Sequence, residues 1–264
     1  MIQKKLVSIC LGVLCFTVTQ AQQSDFLIQI NKGTAGLQLN RRSYASTTGS
    51  SYKEYIVPAA MIGYGIAATY TDALQDVNES IKEEIWTKSP HNRVKIDNYL
   101  QFAPAVAVYG LNLAGIKGKN NLVDRSMIYL ISNIVVNTTV QSVKSITHIQ
   151  RPDGTSKSFP SGHTAEAFAS AEFMRQEYKD VSPWYGVAGY AVAATTGMLR
   201  MYNNKHWFGD VVAGAGVGIA STKLAYLIYP IIKRTIFHNK NMNTILLPYY
   251  QNGNAGIAIA YSLR

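Results

Sequence analysis

The sequence predicts an all-α protein, a bundle of about six core helices with a small β-hairpin at its C-terminal end. Three observations carry that reading. Apolar stretches of helical length recur near 57–70, 98–116, 122–148, 161–179, 184–201 and 206–233, parted by turn-forming stretches such as KSPHNR, KGKNN, RPDGTSKS and KDVSP. Hydrophobic residues make up 47% of the 264 and charged residues 15%, enough for a large core and too apolar for general disorder. The tail changes character: ILLPYY and IAIAYSL flank QNGNAG, whose Asn-Gly is a hairpin signal.

Taken in order, MIQKK is a basic head, LVSICLGVLCFTV is an apolar run of thirteen, and TQAQQ offers a small residue for cleavage after Ala21. That is the layout of a secretory signal peptide over 1–21, and it falls short of the roughly 20 apolar residues a membrane span needs. A buried or membrane-anchoring helix is the alternative. Cys10 and Cys15 both lie inside this segment, so the mature chain would hold no cysteine and no disulfide or thiolate chemistry. Residues 22–56 are polar and irregular, with one candidate short strand at FLIQI; 57–233 form the helical domain; 234–264 form the tail with its hairpin. We find no internal repeat and no low-complexity tract.

Lys plus Arg outnumber Asp plus Glu by 25 to 15, which favours anionic partners. The excess is dispersed and the export signal removes nucleic acid as a ligand. Whether the helices cross a membrane is open at this stage. The run from Val211 to Ile232 could, except for Lys223, whereas the 161–179 helix carries Glu166, Glu172, Arg175 and Glu177, expensive in lipid unless they face inward.

Three short pieces carry chemistry. In KSITHIQRP, Lys144 and Arg151 are seven residues apart, on one face if the helix continues, with Pro152 setting Arg151 at the helix end. In FPSGHTAEAF, Ser161 is a plausible N-cap, Gly162 lets backbone approach a ligand, and His163 falls in the first turn beside a natural phosphate seat. In LRMYNNKHWFGD, Arg200 precedes His206 by six, and His206 and Asp210 are spaced i, i+4, so the carboxylate can fix the imidazole tautomer. Each piece alone has an ordinary reading: a solvated basic face, a helix start, a surface pair. Together they supply three cations, hydrogen-bond donors, an acid and an oriented nucleophile, all that phosphoryl transfer needs without a metal or other cofactor. Asp153 and Lys157, in the loop between the first two pieces, could touch a substrate, though Asp-Gly also reads as a turn. His91, His148 and His238 have no partner at metal-ligand spacing.

Lys144-x6-Arg151-Pro152, Pro160-Ser161-Gly162-His163 and Arg200-x5-His206-x3-Asp210 resemble the three-part signature of the type 2 phosphatidic acid phosphatase superfamily. That superfamily also holds bacterial class A acid phosphatases and vanadium haloperoxidases. The resemblance implies a helical bundle with the motifs converging at one end. It implies His206 as nucleophile, Asp210 as its orienting carboxylate, and His163 as acid and then base. Lys144, Arg151, Ser161, Gly162 and Arg200 would bind phosphate. One position departs: the family usually has Ser before the arginine of the third motif, and here it is Leu199.

The leading expectation is an exported phosphatase acting on lipid phosphates: phosphatidic acid, phosphatidylglycerol phosphate, undecaprenyl pyrophosphate or a lipid A phosphate. It would work in the periplasm or at the periplasmic face of the envelope, with membrane association. A soluble, broad-specificity periplasmic acid phosphatase is the close alternative. A vanadium haloperoxidase and a non-catalytic envelope-binding protein stand further off. Leaving-group contacts are expected on loops within 71–97 and 117–121.

Overall fold

The computed structural model describes residues 52–89 and 91–236, and the backbone of Thr244–Gln251 and Asn254–Tyr261. The segment read as a signal peptide, the candidate strand at FLIQI, His238 and the Asn-Gly expected to turn the hairpin lie outside the described residues. The backbones of β1 (Thr244–Gln251) and β2 (Asn254–Tyr261) run antiparallel, Thr244 opposite Tyr261 and Gln251 opposite Asn254.

Among the described residues eight α-helices follow one another: α1 Lys53–Tyr70, α2 Asp72–Lys82, α3 Asp97–Leu100, α4 Ala103–Leu113, α5 Leu122–Thr147, α6 Gly162–Tyr178, α7 Pro183–Tyr202 and α8 Phe208–Ile236. The helical class is as the sequence predicts. Two details differ. The stretch 71–97, expected as loop, contains α2 and a π-helical turn over Glu83–Thr87. Its polar composition hides the apolar spacing Leu74, Val77, Ile81, Ile85. The stretch 98–116 is two helices rather than one, because Pro104 favours a new helix start after Phe102.

The core is built around α6, which packs against α4, α5, α7 and α8. That explains its glutamates. Glu166, Glu172 and Glu177 are all buried, and each is partnered. Tyr129 donates to Glu166 at 2.8 Å; Arg175 and Lys223 meet Glu172 at 2.7 and 3.2 Å; Tyr226 and Asn120 each donate to Glu177 at 2.6 Å. Glu172 is ion-paired, while Glu166, which meets a tyrosine and no cation, is pushed by burial up to about 7, so neither stands as an uncompensated buried charge. They face inward, so they do not by themselves exclude a lipid surround. Lys223, which interrupts the apolar run of α8, is folded in toward Glu172 and Glu54. Phe208–Thr235 is long and apolar enough to cross a membrane, and 56% of its most apolar window is buried inside the protein.

Glycines bring α8 against α6. A Cβ on Gly214 would lie 2.5 Å from the Ser161 carbonyl oxygen, and one on Gly218 would lie 2.1 Å from that of Ala165. Only bare backbone allows this approach. Its consequence is positional: Asp210, one turn before Gly214, is carried to the start of α6.

Candidate active site

The loop before α6 is a closed turn. The Arg151 amide donates to the Thr155 carbonyl at 2.7 Å and the Ser158 amide to that of Ile149 at 2.8 Å. Gly154, at φ +84°, supplies the left-handed residue the turn requires. Asp153 accepts from the Thr155 hydroxyl at 2.7 Å and from Lys205 at 2.7 Å, and Arg93 lies 3.3 Å away. The turn role read for Asp-Gly therefore comes with a second one: Asp153 ties the loop to the end of α7. Those donors hold its carboxyl well below the usual range despite burial.

Lys144 sits in the last turn of α5, and the helix ends at Thr147 with His148 left-handed at φ 49°. Arg151 therefore does not continue the helical face of Lys144; the turn, not helix periodicity, brings it back. The Lys144 ammonium is buried and donates to the carbonyls of Lys157 at 2.6 Å and Ser158 at 3.0 Å, leaving one N–H for a ligand. Burial, then the charge of Arg151, lowers its pKa to about 8.

Ser161 caps α6, its hydroxyl accepting from the Thr164 amide at 3.4 Å. The first turn by construction leaves backbone N–H groups unpaired within the helix. A Cβ on Gly162 would meet only Val140, at 3.5 Å, so protein packing does not itself demand glycine there. His163 is half-buried, and burial, then Arg200, lowers its pKa to about 4.

His206 and Asp210 do meet, but not on one helical face. Asn203 and Asn204 terminate α7, with Asn204 at φ 56° reversing the chain. His206 therefore lies on the connection and Asp210 in the first turn of α8. The imidazole Nδ1 is 3.3 Å from Asp210 Oδ2, which also accepts from the Trp207 amide at 3.0 Å and from the Ser158 hydroxyl. Asp210 in turn offers its carbonyl to the Ser161 amide at 3.0 Å. Burial depresses His206 to about 4, against the pull of Asp210, so the ring is neutral near pH 7. With Nδ1 turned to the carboxylate, Nε2 is the nitrogen left to react.

Arg200, in the last turn of α7, is buried and paired with Asp97 of α3. Its Nε, like that of Arg151, is buried without a hydrogen-bond partner. Two guanidinium nitrogens left unpaired in one neighbourhood are what a seat for an oxyanion looks like before the anion arrives. Lys144, Arg151 and Arg200 act on one another's charge and on His163, and Lys144 and Arg200 act on His206, so the three sequence pieces converge. Leu199, on α7, offers no hydrogen bond from its side chain at the position that departs from the pattern.

Sequence reasoning missed Asp97, Asn98 and Ser158. Ser158 was adjacent to the Pro-Ser-Gly-His piece, yet nothing in its spacing points at Asp210. Asp97 and Asn98, far upstream of the first piece, gave no signal at all. Among the described residues no group of three His, Cys, Asp or Glu is placed to hold a metal, and His91 is stacked on Tyr202 with its nitrogens toward the Ser89 and Tyr202 carbonyls.

Residues 125–234 match the family model of the PAP2 superfamily. The chain is similar to the lipid A 1-phosphatase of Porphyromonas gingivalis, 40% identical over 165 residues, which is 60% of this chain and 36% of that protein. It thus spans about a third of the length of that relative. Among solved structures it is similar to a transmembrane PAP2-type phosphatidylglycerolphosphate phosphatase from Bacillus subtilis, with TM-score 0.46 and 19% identity over 70% of this chain and 100% of that one. It is also similar to LpxE of Aquifex aeolicus, with TM-score 0.40 and 19% identity over 57% of this chain and 94% of that one.

Proposed function

We propose that this protein is a metal-independent phosphatase of lipid phosphates, working through a phosphohistidine on His206 at the periplasmic side of the envelope. The observation that carries this is the neutral, carboxylate-held His206 set beside three buried or half-buried cations, two of them arginines with an unpaired Nε. Arg151, Arg200 and the free N–H of Lys144 would take the phosphate oxygens, with the first-turn amides of α6. His206 Nε2 would attack phosphorus, forming the P–N bond as the ester P–O bond breaks. Burial and then the Arg200 charge depress His163; a bound dianion offsets that charge and favours the imidazolium. With Nε2 held by Asn98 at 2.9 Å, the imidazolium would give its Nδ1 proton to the departing oxygen, and the neutral ring would then take a proton from the water that cleaves the P–N bond.

Lipid substrates are favoured over small soluble esters by the mouth of the site. Val94, Ile96 and Tyr99 are exposed on the segment that carries Asp97 and Asn98, an apolar collar beside a charged seat. The likeness to a lipid A 1-phosphatase points to the same class. The test is phosphate release by purified protein in EDTA from para-nitrophenyl phosphate, phosphatidic acid, undecaprenyl pyrophosphate and phosphorylated lipid A. Preference for one lipid supports the reading; comparable rates on the soluble ester would favour the scavenging acid phosphatase. His206→Ala should lower turnover by at least about a thousandfold. Asp210→Asn should leave binding largely intact and slow turnover about 10²- to 10⁴-fold. Wild-type turnover by His206→Ala would remove the nucleophile assignment.

A further inference from the structure

We infer that Asn98 is a positioning residue for His163, and that the ester it serves has a strongly basic, alkoxide-like leaving group. The inference rests on the phosphatase reading above and narrows it, within lipid phosphates, to monoesters of alcohols or sugars rather than pyrophosphates.

The argument begins with α3, a helix of four residues that cannot hold itself. It is pinned from three sides. Asp97 is buried against the Arg200 guanidinium. The Val94 amide donates to Asn203 Oδ1 at 2.8 Å while Asn203 Nδ2 donates back to the Val94 carbonyl at 2.7 Å. Gln101 Nε2 donates to the Asn98 carbonyl at 2.8 Å. Asn98 itself is exposed and has water to bond to, yet its Oδ1 lies 2.9 Å from His163 Nε2. A carboxamide oxygen only accepts, so the contact keeps a proton on Nε2, fixes the ring, and leaves Nδ1 as the nitrogen that exchanges a proton with the leaving oxygen once the ring is protonated. The same helix thus sets both a phosphate-binding guanidinium, through Asp97, and the acid, through Asn98.

A preset proton matters in proportion to how badly the leaving oxygen needs one. An aryl oxide or a phosphate departs as a stable anion, whereas an alkoxide does not. Building a rigid support for the acid is therefore a provision for esters of ordinary hydroxyl groups. The charged groups acting on His163 are Arg200, Asp97, Arg151 and Lys144; Asn98 adds orientation without adding charge.

The experiment compares kcat/KM for octyl phosphate and para-nitrophenyl phosphate, since that ratio of constants ends at P–O cleavage and is blind to hydrolysis of the phosphohistidine. Asn98→Ala should lower the alkyl-to-aryl ratio by about tenfold or more, within the range general acids contribute. Asn98→Asp keeps an acceptor and should restore the ratio to within about threefold, while its carboxylate favours the imidazolium and moves the alkaline limb for octyl phosphate upward. An equal fall on both esters in Asn98→Ala would mark a structural role, and an unchanged ratio no role; either overturns the inference alone. Cleavage of the lipid panel by an unaltered protein that leaves octyl phosphate intact overturns the inference alone; failure to cleave both esters and every lipid of that panel overturns the phosphatase reading and takes the inference with it.

Discussion

Lys144 shows how one residue can set the working range of the site. In its proposed role it must be charged to hold phosphate, yet burial and the Arg151 guanidinium both oppose its charge and lower its pKa to about 8. The direction follows: kcat/KM should decline above about pH 8 as Lys144 loses its proton. Lys144→Arg, whose guanidinium stays charged throughout, should push that limb upward at some cost in rate, since a planar fork fits a different geometry. A pH profile of both proteins checks it, and an unmoved alkaline limb would assign the titration elsewhere. The proposed mechanism makes opposite demands on the two histidines. Both are depressed to about 4 by burial; that suits His206 as the proposed nucleophile, whereas His163 as the proposed acid would need the bound dianion before it could give up a proton. Lys144, Arg151, His163 and His206 were singled out by spacing within short sequence motifs. Asp97, Asn98 and Ser158 were not, because their contacts with Arg200, His163 and Asp210 are made only after folding, between segments with no common register.

At the scale of elements, the site depends on how closely α8 lies on α6. The sequence run AGAGVG reads as generic small-residue helix, and nothing in it says which glycine faces which neighbour. The structure separates them: Gly214 and Gly218 face carbonyls of α6, whereas a Cβ on Gly63 of α1 would meet nothing within 4 Å. Gly214→Val should therefore force the helices apart at Ser161, costing about 1–3 kcal/mol by overpacking, and should reduce turnover further by drawing Asp210 from Ser158 and Ser161. Gly63→Ala should be neutral or stabilise by up to about 1 kcal/mol through helix propensity. Thermal melts with activity measured below the transition decide the matter. Full activity in folded Gly214→Val would mean the helix spacing does not position Asp210. The helices holding the motifs were readable from apolar length alone. The α2 helix was not, because its polar content resembled a loop until packing revealed which face is apolar.

At the scale of the molecule, the question left open by composition is what the outer surface meets. The charged residues of α6 do not answer it, since the fold turns them inward on partners. The outer side chains bear on it more directly: Ile66, Val106, Leu113, Ile134, Leu227 and Ile231, on four different helices, are exposed. Removing one such side chain from water is worth about 1.5–3 kcal/mol, so even partial burial of several in lipid outweighs the loss of the surface charge term. The chain also carries a formal net charge of +10, which alone would attract it to an anionic membrane. The two attractions part company in salt, because at 1 M the Debye length is about 3 Å and surface charge is screened while apolar contact is not. Under the membrane-associated reading, activity from cells broken without detergent should sediment with membranes, stay there through a 1 M salt wash, and be released by mild detergent. Release by salt would reduce the association to electrostatics. Appearance of the activity in the osmotic-shock fluid would make the exposed apolar side chains ordinary surface and the enzyme a soluble phosphatase.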